Sequence, residues 1–92
     1  VQFRDAALEE FHRSGRPPRY VPPELRKILR RKLAMLEHSR NLNDLRSPPS
    51  NHLEKLRFDL AGHYSIRVNK QFRIVFAWTE NGAEDVYFDD YH

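Results

Sequence analysis

The apolar positions change period partway along the chain. Leu25, Ile28, Leu29, Leu33 and Leu36 fall at helical spacing, and Pro22-Pro23-Glu24 ahead of them suits a helix's first turn. From Tyr64 onward, apolar and polar residues alternate at the strand period of two. Tyr64, Ile66 and Val68 share one face of a first run, and Phe72, Ile74, Phe76 and Trp78 share one face of a second. Before the main helix, Ala6, Leu8 and Phe11 mark a brief amphipathic helix from Asp5 to His12, ended by Ser14-Gly15-Arg16-Pro17-Pro18. Val1 to Arg4 reads as a short edge strand. A helical turn around Leu42 to Leu45 precedes the loop Ser47-Pro48-Pro49-Ser50, and a first core strand is expected from Leu53 to Phe58. Helices followed by three or four strands predict one α+β domain over residues 1–92. Its two N-terminal helices would pack on one face of a small, mainly antiparallel β-sheet.

Pairing parity sharpens the hairpins. A connection that keeps apolar opposite apolar must be odd in length, because a one-residue slip turns every side chain to the other face. The simplest is Asn69-Lys70-Gln71, which sets Ile66 against Ile74 and Arg67 directly across from Arg73. Like charges so placed repel. Two facing guanidiniums suggest an anion between them, a phosphate above all, although a plain solvated face has the same composition. In the next hairpin, Asn81-Gly82 favours a two-residue type I′ turn. A three-residue loop, Glu80-Asn81-Gly82, buries more apolar surface by setting Val86 opposite Phe76 and Phe88 opposite Ile74. It also brings Tyr87, Asp89 and Tyr91 to the arginine face.

Composition narrows the class. A hydrophobic content of 39% with 12% aromatics fits a globular domain. The absence of cysteine excludes disulfides and thiolate metal sites and is compatible with a reducing cytoplasm. No apolar stretch approaches a membrane span. The formal charge of +3 is unevenly spread. Residues 1–50 hold eleven Lys/Arg against six Asp/Glu, and residues 51–92 hold five against seven. A basic front half suits a polyanionic partner, most economically nucleic acid. Arg26, Lys27, Arg30, Arg31 and Lys32 occupy much of the main helix outside its apolar stripe. They form either a solvated face or a surface that tracks phosphates. The five histidines show no metal-ligand spacing, which speaks against a metalloenzyme, and no cofactor motif is present.

The segment LRFDLAGHYSIRVNKQFRIVFAW and the later DYH, with NDLRSPPSNHLEKL upstream, resemble the HigB branch of the RelE-type toxins. The likeness covers nearly the whole chain. It implies a RelE-like microbial RNase fold and a cytoplasmic bacterial toxin of a type II toxin–antitoxin system. Such a toxin cuts mRNA in the A site of the translating 70S ribosome and is restrained by a HigA-type helix-turn-helix antitoxin. A non-catalytic RNA-binding or repressor-partner module on the same fold is the alternative.

The family's active site maps onto Arg57, Arg73, Asp90, Tyr91 and His92. Metal-free cleavage by the ribose 2′-hydroxyl needs a base near that hydroxyl, cations around the phosphate and an acid at the leaving 5′-oxygen. Arg57 and Arg73 supply fixed charge but shuttle protons poorly. The Tyr91 phenolate would be stabilised by nearby guanidiniums, His92 could serve as acid or base, and Asp90 could orient it or steady a basic side chain. Arg26, Lys27, Arg30, Arg31, Arg67 and Lys70 would grip ribosomal or messenger RNA. Two departures bear on these roles. Relatives often have lysine-glycine-aspartate where this chain has Arg57-Phe58-Asp59, and some have histidine at the position of Glu54.

Overall fold

The structure is a computed structural model describing residues Val1–Asp90; Tyr91 and His92 lie outside the described residues. Helix α1 spans Ala6–Ser14, two residues past its expected end at His12. Both of its ends are capped. Asp5 accepts from the Ala7 amide at 2.9 Å, and Gly15 closes the helix in the left-handed conformation at φ 87°. A 3-10 turn at Pro23–Leu25 leads into α2, Arg26–His38. Leu25, Leu29, Leu33 and Leu36 are buried and join Leu8 and Phe11 of α1 in one hydrophobic cluster with Ile66, Val68, Ile74, Phe76 and Val86 of the strand region.

The basic face of α2 is smaller than the sequence suggests. Lys32 is only 3% exposed, so it leaves the expected outer surface and turns inward. Its ammonium donates to the Asn51 side-chain carbonyl. Asn51 is fully buried, and its amide donates to the Leu45 and Ser47 carbonyls at 3.1 and 3.4 Å. Lys32 and Asn51 thus fasten the segment between the helices and the sheet, where turns at Leu42–Arg46 and Pro49–Asn51 carry the chain. Burial and the nearby Arg31 charge both lower the Lys32 pKa.

Among the described residues, four strands form one antiparallel sheet in sequence order: β1 Glu54–Lys55, β2 His63–Arg67, β3 Phe72–Thr79 and β4 Gly82–Asp90. The strand expected from Leu53 to Phe58 shrinks to two residues. Phe58 takes φ 58°, outside the strand region, and begins a 3-10 turn that ends at Leu60. The Val1–Arg4 segment is a single parallel bridge, Phe3 to Val86, rather than a strand of the sheet.

The β2–β3 register is the one parity requires. Ile66 faces Ile74 and Arg67 faces Arg73, across the connection Asn69-Lys70-Gln71. The Asn69 side chain shapes that connection, accepting from the Gln71 and Phe72 amides at 2.9 and 2.7 Å. In the β3–β4 hairpin, Phe88 faces Ile74 as expected, but the turn differs from both sequence alternatives. Thr79 pairs with Gly82, so Glu80-Asn81 form the loop, and a bulge between Val75 and Ala77 restores the register. Asp85, at φ 56°, lies in the stretch of β4 that carries the extra residue.

Candidate functional site

Strand alternation gives the sheet a second face, opposite in orientation to Ile66, Ile74 and Phe76. It carries His63, Ser65 and Arg67 of β2, Arg73 and Val75 of β3, and Tyr87 and Asp89 of β4. Glu54 of β1 faces Ser65 on the same side. At one end of this face stand the two opposed arginines. Arg73 Nε donates to Asp89 Oδ2 at 2.9 Å, and the side chains are 16% and 30% exposed. One anion that the arginine pair requires is therefore internal. Arg67 is placed differently: its Nε is buried, with no hydrogen-bond acceptor among the described residues. Arg67 also lines a cleft of about 260 Å³ with His52, Leu53 and Glu54. An acid, Glu54, thus shares the cleft wall with Arg67.

The other end of the face holds a group that residue spacing does not reveal. Arg4 grips Asp85 with two bonds of 2.8 and 2.7 Å, and His63 Nε2 bonds the same carboxylate at 2.9 Å. The Arg4 guanidinium lies 3.9 Å over the Tyr87 ring. The Arg4 hydrogen bond, then that of His63, pulls the Asp85 pKa down to about 2. The one available signal is the hairpin itself. A turn at Glu80-Asn81 and a Phe88–Ile74 pairing cannot both hold without a bulge, and aspartate is among the few residues at ease at positive φ.

The remaining predicted residues fall in three places. Lys70 is exposed at the tip of the β2–β3 hairpin, close in sequence to Arg67 and Arg73. Asp90 is opposite Phe72 and accepts from the Gln71 side-chain amide at 3.1 Å, so it belongs to the same end of the sheet. Tyr91 and His92 lie outside the described residues. Arg57 is exposed beyond the other end of β2: the Leu56 amide bonds the His63 carbonyl, and Arg57 follows it. His63 and Arg67 are four residues apart, about 13 Å of strand at ~3.3 Å per residue. The backbone does not bring Arg57 beside Arg73. Arg26, Lys27, Arg30 and Arg31 are exposed on α2, the first three lining a groove of about 380 Å³ with Phe11, Gly15 and Pro17.

Chemically, the arginine end offers oriented positive charge next to carboxylates, an arrangement suited to a phosphate group whose charge grows during reaction. Comparison with known proteins agrees with the sheet-and-helix architecture. A solved structure titled YoeB–YefM complex from Staphylococcus aureus superposes with a TM-score of 0.58 at 21% identity, over 99% of this chain and 93% of that one. A Haemophilus influenzae protein named only as uncharacterized is 46% identical over 87 residues, 95% of this chain and 86% of its own length. Toxin HigB-1 of Vibrio cholerae is 39% identical over 89 residues, covering 97% of this chain and 94% of that protein. A family model described as the RelE-like toxin HigB of type II toxin–antitoxin systems matches residues 1–92. The chain belongs to this HigB-like family of RelE-type toxins.

Proposed function

We propose that this toxin is a ribosome-dependent mRNA interferase, an endoribonuclease that cuts message in the ribosomal A site and so inhibits translation. The observation that carries the reading is the direct opposition of Arg67 and Arg73 on the polar face of the sheet. Arg73, steadied through Nε by Asp89, directs its guanidinium charge at the scissile phosphate. The ribose 2′-oxygen bonds to that phosphorus while the bond to the 5′-oxygen breaks. One proton leaves the 2′-hydroxyl for a base and another reaches the departing oxygen. Tyr91 and His92, part of the active site that the resemblance implies, supply the proton-transfer groups, and Asp90 orients His92. Arg57 holds the RNA at the other end of β2. Arg26, Lys27, Arg30 and Arg31 bind ribosomal RNA through phosphates.

The ribosome supplies what so small a domain lacks, a path that orients single-stranded RNA. The partner is a HigA-type helix-turn-helix antitoxin, consistent with the family and with a structural neighbour, YoeB–YefM, that is a complex. Both proteins act in the bacterial cytoplasm, where translating ribosomes are. No helix among the described residues is long and apolar enough to cross a membrane.

The test is to map RNA ends in a reconstituted translation reaction. Cleavage should appear on message held by translating ribosomes, with cyclic 2′,3′-phosphate ends, and be slight on the same RNA free in solution. Equal rates on free and ribosome-bound RNA would overturn the ribosome requirement. In cells, expression of this chain alone should arrest growth, and the neighbouring antitoxin gene should rescue it. Benign expression of folded protein would favour the non-catalytic alternative.

A further inference from the structure

Phe58 is 92% exposed and holds φ 58°. Both facts run against its chemistry. A bulky aromatic side chain is strained in the left-handed region, where glycine makes the same reversal freely. The reversal itself is needed, since the chain must leave β1 after Lys55 and return as β2 at His63. The phenyl ring, however, contributes little to the core in exchange. The other large apolar side chains exposed among the described residues are Val1 and Tyr20. Tyr20 is already engaged, bonded to Asp5 and stacked on Phe88 with ring centroids 5.7 Å apart. A strained, displayed aromatic that does not help the fold points to a ligand.

The surroundings choose between two kinds of ligand. A protein interface gathers apolar residues into a contiguous buried centre. Phe58 has instead exposed Arg57 before it and exposed Asp59, Ala61 and Gly62 after it. A lone ring beside an arginine is the arrangement that recognises one unstacked nucleotide: the base lies on the ring and the guanidinium takes the phosphate. We propose that Phe58 is a base-stacking residue for single-stranded RNA, with Arg57 holding the adjoining phosphate. This rests on the reading of the toxin as an RNA nuclease. The stacked nucleotide is not the one cut, because the Arg67–Arg73 end lies about 13 Å further along β2, at ~3.3 Å per residue. Stacking there adds one contact to the strand that the ribosome orients.

The experiment compares the whole protein with Phe58→Leu, Phe58→Trp and Phe58→Gly. It measures binding of a labelled hexaribonucleotide, of the same oligomer with abasic sugars and of the antitoxin, at one fixed salt concentration, with thermal stability in parallel. Phe58→Leu should weaken binding of the intact oligomer on the order of tenfold, and Phe58→Trp should retain it. Binding of the abasic oligomer should be the same for all four proteins. Phe58→Gly should lose stacking while melting higher than the parent, since the strain is relieved. Equal affinity of the parent and Phe58→Leu for the intact oligomer overturns the proposal. So does a Phe58→Leu defect confined to antitoxin binding, which would make the ring a protein contact. Cleavage on programmed ribosomes separates the two readings. A parent that does not cut but binds RNA through Phe58 removes the nuclease reading alone. A parent that cuts and is indifferent to residue 58 removes the stacking alone.

Discussion

Arg73 sits between a repulsion and an attraction, and their magnitudes decide what its loss does. A like-charge pair directly across strands costs about 0.2–1 kcal/mol. A hydrogen bond to a charged partner contributes about 1.5–3 kcal/mol. With Asp89 at 2.9 Å, the attraction wins. Parity alone argues that Arg73→Ala relieves strain; the Asp89 contact reverses the sign. Arg73→Ala should lower stability in urea by about 1–2 kcal/mol. It should slow cleavage on programmed ribosomes by about 10²–10³, as expected for a group that stabilises charge built up in the transition state. A matching loss of rate and of ribosome binding would mean that Arg73 only grips. Asp85 gives the corresponding test by pH. Its folded pKa, about 2, lies below the ordinary aspartate value of 3.8. The stabilisation is therefore fully present above pH 4 and is lost as pH falls toward 2. The carboxylate is 37% exposed, so solvent screening holds the effect to about 1 kcal/mol. Asparagine also tolerates positive φ, so Asp85→Asn should be less stable than the parent above pH 4 and converge with it near pH 2. Urea titrations at both pH values would show it.

At the scale of elements, the sheet's register was legible and its interruptions were not. The rule that apolar must face apolar fixes Arg67 opposite Arg73, since any even-length connection would expose the core face of β2 or β3. The same rule finds Phe88 opposite Ile74, but it cannot say whether the odd residue sits in the turn or in a bulge. Helical spacing places Lys32 beside Leu29 and Leu33 on the inner stripe. Its charge argues for the surface, and its partner, Asn51, is nineteen residues away. A buried lysine becomes legible only with its acceptor in view. The site suffers from the same gap. Where the Arg57 backbone lies is set by the end of β1 at Lys55 and the turn at Phe58, neither of which the strand pattern expected from Leu53 to Phe58 contains. The Lys32 contact is testable on its own terms. Lys32→Ala leaves the buried Asn51 carbonyl without its donor and should cost about 1–3 kcal/mol. Arg31→Ala, one residue earlier on the exposed face, should stay within about 0.5 kcal/mol. Equal effects in thermal or urea unfolding would return Lys32 to the solvent face.

Across the whole molecule, cations are distributed so that gripping and cutting can be separated. The body measures 28 × 27 × 26 Å, several times the ~8 Å screening length at physiological salt. Charges on the exposed face of α2 and at the arginine end of the sheet that lie further apart than that length contribute almost independently to binding. Arg30 is the less suitable probe on α2. Its guanidinium lies against Gly15, where an added Cβ would sit 2.9 Å from Nη1, so changing Arg30 disturbs the end of α1 as well. Arg31 is exposed and its contribution to stability is small. Arg31→Glu should weaken association with ribosomes and reduce the slope of log affinity against log salt by about one for each phosphate it no longer neutralises. Its cleavage rate at saturating ribosome concentration should match the parent if, as proposed, the α2 charges act on association and not on the reacting phosphate. Arg73→Ala also gives up one phosphate contact, so its slope falls by about one as well, but its saturated single-turnover rate collapses. If Arg31→Glu also lowers the saturated rate, α2 takes part in positioning the message. If it changes neither the slope nor the rate, the basic face of α2 is only solvated, and the ribosome must be held through the sheet.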